Sequence, residues 1–320
     1  MKKKIISLAI VALLMLSLAA CGGTQGESYT VGIGQLGQHP ALDAATLGFK
    51  DALSEKLGDS VSFDEQNASG DPATCSVIFN AFVSSRVDLM MANATTALQA
   101  ALASSNEIPT LGTSVTDYGT ALGVDDWSGT SGTNISGTSD LAPLDEQAAM
   151  IKEIFPDAEK IGILYCSSEP NSKYQAEVIT GYLVEMGYTC KEFTFSDTND
   201  VQAVTTAAAA ESDVIFAPTD NTLASNAEIL KNVCVPAGVP IIAGEEGICA
   251  VAGVATLSID YYELGWVTGE MAYEILVNGA DPATMEVRFA PTVTKKYNPE
   301  ICEALGISLS DDYIAIEAES

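Results

Sequence analysis

Short apolar runs, each closed by a cluster of small polar residues, recur along the chain and predict its architecture. The clearest is Asp213 to Asn221, DVIFAPTDN, where Val214, Ile215 and Phe216 have the branched and aromatic character of a buried parallel strand. The run stops at Pro218, and Thr219-Asp220-Asn221 opens a helical pattern continuing through Leu223 to Leu230. The same arrangement stands in DLMMANATT (Asp88 to Thr96) and in KIGILYCSSEPNS (Lys160 to Ser172). In an open α/β sheet, ligands bind outside the carboxyl ends of the strands, where loops turn into helices. The polar residues after each run are therefore where binding chemistry is expected.

In chain order, the pattern predicts strands over 29–36, 61–66, 88–92 and 108–115, separated by helices over 41–57, 72–84 and 95–103. Residues 124–140 are rich in Gly, Ser and Thr, including GTSGTNISGTSD, and read as loop or linker. A helix over 143–155 restarts the register. Strands follow over 160–166, 190–195, 214–217 and 240–243, with helices over 171–186, 200–210 and 221–233. A strand over 255–259, a long helix over 260–277, sheet segments between 285 and 293 and a short helix over 298–305 complete the chain. Two similar series predict an α/β protein of two Rossmann-like lobes, each a parallel sheet with helices on both faces. The expected division puts 29–138 with 257–287 in one lobe, and 139–256 with 288–320 in the other.

The amino terminus changes the picture. Lys2-Lys3-Lys4, an apolar run from Ile5 to Ala20 and then Cys21 read as a secretory signal peptide over 1–20, too short for a stable membrane span. Leu18-Ala19-Ala20-Cys21 resembles a bacterial lipobox, which implies cleavage before Cys21 and lipidation of its sulfur, with 21–28 as a lipidated tether. Removing the three leader lysines from the 14 basic residues leaves 11 against 43 acidic, a net charge near −32. Phosphate binding needs clustered Lys and Arg, so nucleic acid is excluded as a partner. The apolar fraction of 47% is ample for two cores. Cys75, Cys166, Cys190, Cys234, Cys249 and Cys302 show no metal-ligand spacing, and His39 is the single histidine, which argues against a metal site. Disulfides after export and buried free thiols both remain open for these six.

Two lobes facing each other leave a cleft lined by strand ends. The candidates there are Gln35, His39, Asn93, Thr95, Thr116, Asp117, Ser168, Glu169, Asn171, Ser172, Asp220, Asn221, Glu245, Asp260 and Tyr261. Helix starts at Thr95 and at Asn171-Ser172 offer N–H groups and hydroxyls suited to a carboxylate. Asp220, Glu245 and Asp260 could hold an ammonium group, so the set matches a zwitterion. Capping alone also explains Thr95, Asn171, Asn221 and Asp260, and a turn explains Asp117. Among enzyme signatures, GxSxG, a Walker loop and HExxH are missing. Gly32, Gly34 and Gly37 meet GxGxxG by spacing alone, with Gln66 where a ribose-binding acid would stand. No cofactor and no enzymatic activity are expected.

HPALD (His39 to Asp43), TSVTD (Thr113 to Asp117), TNISGTSD (Thr133 to Asp140), SSEPNS (Ser167 to Ser172), PTDNT (Pro218 to Thr222), GEEG (Gly244 to Gly247) and IDYYELG (Ile259 to Gly265) occur in the order that resembles the substrate-binding lipoproteins of ABC importers, in the branch with tryptophan- and tyrosine-type binding proteins. The resemblance covers nearly the whole chain after the leader. It implies a type I periplasmic-binding-protein fold with three crossover strands, Venus-flytrap closure on ligand, and delivery to a membrane ABC permease from the outer face; the ligand expected is an aromatic or large apolar amino acid. It also implies that Thr95, Thr116 and the Asn171-Ser172 helix start meet the carboxylate, with Asp220 and Asn221 on the ammonium side. The family's proline after TD is Tyr118 here, which would alter the pocket wall. A sugar or nucleoside ligand stacked on Tyr118, Tyr165 or Tyr261, and a surface receptor without transport, are the alternatives.

Overall fold

The computed structural model describes residues 28–317, so the leader and Cys21 lie outside the described residues. The first series runs β1 (Tyr29–Gln35), α1 (Pro40–Leu57), β2 (Val61–Asn67), α2 (Pro72–Ser85), β3 (Leu89–Asn93), α3 (Thr95–Ser104), β4 (Thr110–Val115), α4 (Tyr118–Leu122) and β5 (Ile135–Ser139). The second runs α5 (Leu144–Ile154), β6 (Lys160–Cys166), α6 (Pro170–Glu185), β7 (Thr189–Phe195), α7 (Val201–Glu211), β8 (Val214–Ala217), α8 (Asn221–Ala224), α9 (Ala227–Ala237), β9 (Ile241–Ala243), α10 (Glu246–Val251) and β10 (Ala255–Ile259). Then follow α11 (Tyr261–Leu276), β11 (Arg288–Phe289), β12 (Val293–Tyr297), α12 (Pro299–Leu305) and β13 (Ile314–Ala315).

Two sheets result, in the orders β11-β5-β4-β3-β1-β2 and β13-β12-β10-β9-β8-β6-β7. Pairing is parallel in the first sheet and in most of the second, where β12 runs antiparallel to β10. Each sheet carries an apolar cluster on either face, as expected where helices cover both sides. The chain passes between sheets after β5, after β10 and after β11. The sheets put the lobe boundaries later than expected. β10 to Ile259 stays in the second sheet, and β11 joins the first because Arg288 and Phe289 pair with Thr138 and Ser139.

The Gly/Ser/Thr interval expected to be loop contains β5, every residue of which is buried. Its polar side chains are tolerable there because they are satisfied. Thr138 bonds the hydroxyls of Thr113 (3.2 Å) and Thr268 (2.8 Å), Ser136 donates to the Met285 carbonyl (3.0 Å), and Ser139 to that of Thr116 (2.8 Å). The single helix expected over 221–233 is two, α8 and α9, broken at Ser225-Asn226. The short helix α10 and the strand β13 were not expected. The GxGxxG spacing serves packing: a Cβ on Gly32 would stand 2.7 Å from the Phe82 ring and one on Gly34 2.4 Å from that of Phe79. These glycines let α2 lie close on β1.

Candidate functional site

The carboxyl ends of β1, β3, β4 and β5 face those of β6, β8 and β9 across the lobe boundary, and the lobes touch there. His39, at the start of α1, places Nε2 3.2 Å from Asn221 Oδ1 of the other lobe. Helix α3 packs on α6, α4 on α6, and α10 on α1. Tyr261 bridges the two connecting segments by donating its hydroxyl to Asp140 Oδ2 at 3.0 Å. These contacts describe lobes closed on one another.

On the first lobe, the end of β1 is fixed internally. Gln35 Nε2 donates to the Gly37 carbonyl and to Asp43 Oδ1, both at 2.7 Å, while its Oε1 accepts from Thr46 at 2.6 Å. Asn93 donates to the Leu42 carbonyl (2.8 Å) and to Thr46 (3.0 Å), which leaves its Oδ1 without a partner. Ala94 then takes φ 93°, a left-handed value that costs a non-glycine residue about 1–3 kcal/mol. It caps α3 with no side chain, so the first turn's N–H groups have no side-chain acceptor. Thr95 beside it is 1% exposed and its hydroxyl has no partner. Ser114, at φ 53° in the irregular end of β4, is likewise buried and unpartnered. Asp117 caps α4 by accepting from Thr120 N at 2.7 Å.

The second lobe's acids are committed to backbone. Asp220 accepts from Cys166 N (2.7 Å) and Leu223 N (2.8 Å), and Ser172 also hydrogen-bonds it. Burial first, and the charge of Glu169 second, push its pKa up. Glu169 accepts from Asn221 N and Nδ2, Thr222 N and Oγ1, and Asn171 Nδ2, at 2.7–3.2 Å. Asn171 also donates to the Thr219 carbonyl at 3.0 Å, and its Oδ1 is left over. Glu245 caps α10 through Gly247 N and Ile248 N; burial raises its pKa, and the nearby His39 lowers it.

Two candidates stand apart from this layer. Ser168 turns to the Ser196 carbonyl (2.9 Å) on an exposed rim, because the two residues after β6 follow the end of β7. Asp260 is exposed and only caps α11 through Glu263 N at 3.0 Å. Two of the tyrosines that a stacked sugar or nucleoside would use are placed otherwise. Tyr118 lies in the first lobe's core, stacked on Trp127 at 5.8 Å, with its hydroxyl donated towards the carbonyls of Gly112, Ser136 and Thr138. It lines core, not pocket. Tyr165 donates to Glu192 Oε2 at 2.7 Å, in the β7 strand beside it.

Asp140, absent from the candidates, is the residue the sequence reading missed. It is 4% exposed, accepts from Tyr261 through Oδ2 and has no partner on Oδ1. Burial pushes its pKa up to about 6, against hydrogen bonds from Thr116 and Tyr261 that favour the carboxylate. The signal was present: Asp140 follows a strand end, but that strand was hidden in the Gly/Ser/Thr interval. The six cysteines of the described residues are free thiols, and no cluster that could hold a metal occurs among those residues.

A two-lobed α/β protein whose strand ends enclose unpartnered hydroxyl, amide and carboxylate groups is built to close on a small polar solute. The chain belongs to the ABC transporter substrate binding protein family, whose profile matches residues 30–320. It is 36% identical over 291 residues to the tyrosine-binding protein of Clostridioides difficile (strain R20291), covering 86% of this chain and 84% of that one. An ABC domain from Streptococcus pneumonia in complex with L-Trp superposes with TM-score 0.85 at 31% identity, over 89% of this chain and 97% of that one. A substrate-binding protein with adhesive properties from Clostridium difficile, in its ligand-free, open form, gives TM-score 0.69 at 34% identity, over 91% and 100%. Identity is slightly higher with the open structure while the fit is poorer. The fold is that of type I periplasmic binding proteins, which solved neighbours share at much lower identity.

Proposed function

We propose that this protein is the lipid-anchored, extracytoplasmic solute receptor of an ABC importer, and that it captures an aromatic or large apolar amino acid for a membrane permease. The observation that carries the ligand class is the set of unpartnered buried atoms at the closed lobe boundary. Thr95 Oγ1, beside the open first turn of α3, suits a carboxylate, and Asp140 Oδ1 is the acceptor left for an ammonium. Thr116, Asn171, Ser172, Asp220 and Asn221 are proposed to meet the ligand with them. The L-Trp complex and the tyrosine-binding relative support the side-chain class. Tyr118 and Tyr165 are committed elsewhere, which disfavours a stacked sugar ring. No helix of the described residues is long and apolar enough to cross a membrane, so the anchor proposed is the lipid on Cys21.

Thermal unfolding of the domain lacking residues 1–21, against amino acids, sugars and nucleosides, tests this reading. A ligand at 100 times its dissociation constant should add about 2.7 kcal/mol to stability. A shift with aromatic amino acids alone is the expected result. A shift with a sugar or nucleoside, and none with amino acids, would discard the ligand assignment.

A further inference from the structure

Given capture of a solute between closing lobes, as proposed above, we infer that His39 is an interlobe latch. Its bond to Asn221 exists only in the closed form, so it sets how long a ligand is held and not which ligand is taken. His39 is anchored in the first lobe. Its carbonyl accepts from Asp43 N at 3.1 Å, and Pro40 after it occupies the first position of α1, where the missing N–H costs nothing. The side chain caps no helix. Among the described residues, the ring's one hydrogen bond is that of Nε2 with Asn221 Oδ1, at 3.2 Å across the lobe boundary. The residue is 7% exposed, so this bond is shielded from water.

The chemistry of Asn221 decides which ring nitrogen works. Its Nδ2 donates to Glu169 Oε2 at 2.7 Å, and its backbone N donates to the same oxygen at 3.0 Å. An ionised carboxylate only accepts, so turning the amide round would set two oxygens against each other. Oδ1 must therefore face His39. That carbonyl oxygen also only accepts, so Nε2 carries the hydrogen of the neutral ring, and Nδ1 is left as a buried acceptor without a partner. Both halves are held before the lobes meet. Glu169 is fixed by Thr222 N and Oγ1 at 2.8 and 2.7 Å, and the segment leading to His39 by Gln35, which bonds the Gly37 carbonyl and Asp43. Little ordering is left for the moment of closure. A bond made only in the closed form slows opening and leaves the encounter with the open form untouched. Nδ2 of Asn221 keeps a second hydrogen, so the latch does not compete with the ligand contact proposed for that residue.

Stopped-flow kinetics with L-tryptophan and L-tyrosine tests the latch, on wild type, His39→Ala, His39→Gln and His39→Asn. A glutamine amide nitrogen can stand where Nε2 stands, whereas that of asparagine stands nearer the place of Nδ1. His39→Ala should raise the dissociation rate about tenfold, the loss expected when a buried acceptor is stranded. Its association rate should stay within about twofold of wild type, and the two ligands should show the same factor, since the latch touches neither. His39→Gln should hold the dissociation rate within about threefold of wild type, and His39→Asn should release ligand as His39→Ala does. An unchanged dissociation rate in His39→Ala would overturn the inference. So would rescue by asparagine and not glutamine, or a factor that differs between the ligands, since either makes His39 a ligand contact. Should His39→Ala not fold, the glutamine and asparagine variants decide by themselves. If wild type binds neither amino acid, the ligand assignment fails separately, and the same comparison is made with the solute that the thermal panel identifies.

Discussion

Tyr118 shows how one residue can look like a binding group and be a structural one. It stands at the start of α4, yet its ring packs in the first lobe's core and its hydroxyl meets carbonyls of β4 and β5. Gly137, at φ 143°, makes room for it, since a Cβ there would stand 2.3 Å from the Tyr118 hydroxyl. Tyr118→Phe removes a donor shared among carbonyls, so it should cost about 0.5–1.5 kcal/mol in urea unfolding. Ligand affinity should stay unchanged. Asp220 makes the complementary case. Asp220→Ala strands two buried N–H groups, on Cys166 and Leu223, and should destabilise by about 2 kcal/mol or more before any effect on ligand is read. A variant with wild-type stability and lost affinity would return Asp220 to direct ligand contact.

At the scale of elements, the packing of α11 on α1 ties the chain that leaves β10 back to the first lobe. It is a close crossing of small residues: a Cβ on Gly265 would stand 1.9 Å from the Ala45 carbonyl oxygen, and one on Gly48 2.1 Å from that of Tyr262. Backbone atoms cannot step aside as a flexible side chain can. Gly265→Val should therefore push the helices apart and cost about 3 kcal/mol, at the upper end of overpacking penalties. Chemical denaturation measures the loss. Because α11 carries Tyr261 at its first turn, the same variant should weaken ligand binding, which a purely local defect would not do.

For the whole molecule, buried acids at the lobe boundary make stability depend on pH. Asp140 titrates in the folded state at about 6, and Asp220 and Glu245 are also raised, all chiefly by burial. An unfolded carboxylate titrates near 4. Between the two values the folded state binds more protons, so stability falls as pH rises through this window. The ligand-free domain should thus gain Tm as pH is lowered from about 8 towards 5. The acidic excess acts in the same direction, through repulsion that protonation relieves. Asp140→Asn should flatten the part of the slope below about pH 6. A Tm that rises steadily from pH 5 to 8 would contradict this picture.

The sequence by itself determined the two-lobed α/β class, because strands buried on both faces must be continuously apolar, as Val214–Phe216 and Leu89–Met91 are. It also put the candidate binding residues at the sheets' carboxyl ends, since polar residues after such runs fall there. What it did not yield was β5, whose Ser and Thr residues imitate a loop until Thr113, Thr268 and Met285 are brought against them from far along the chain. With β5 went Asp140. Nor did local pattern distinguish acids that cap helices from one with an oxygen to spare, for both look alike until every donor around them is in place. Which carboxylate keeps an unpartnered oxygen was decided by tertiary structure alone, because satisfaction of a buried polar group depends on neighbours that only the folded chain assembles.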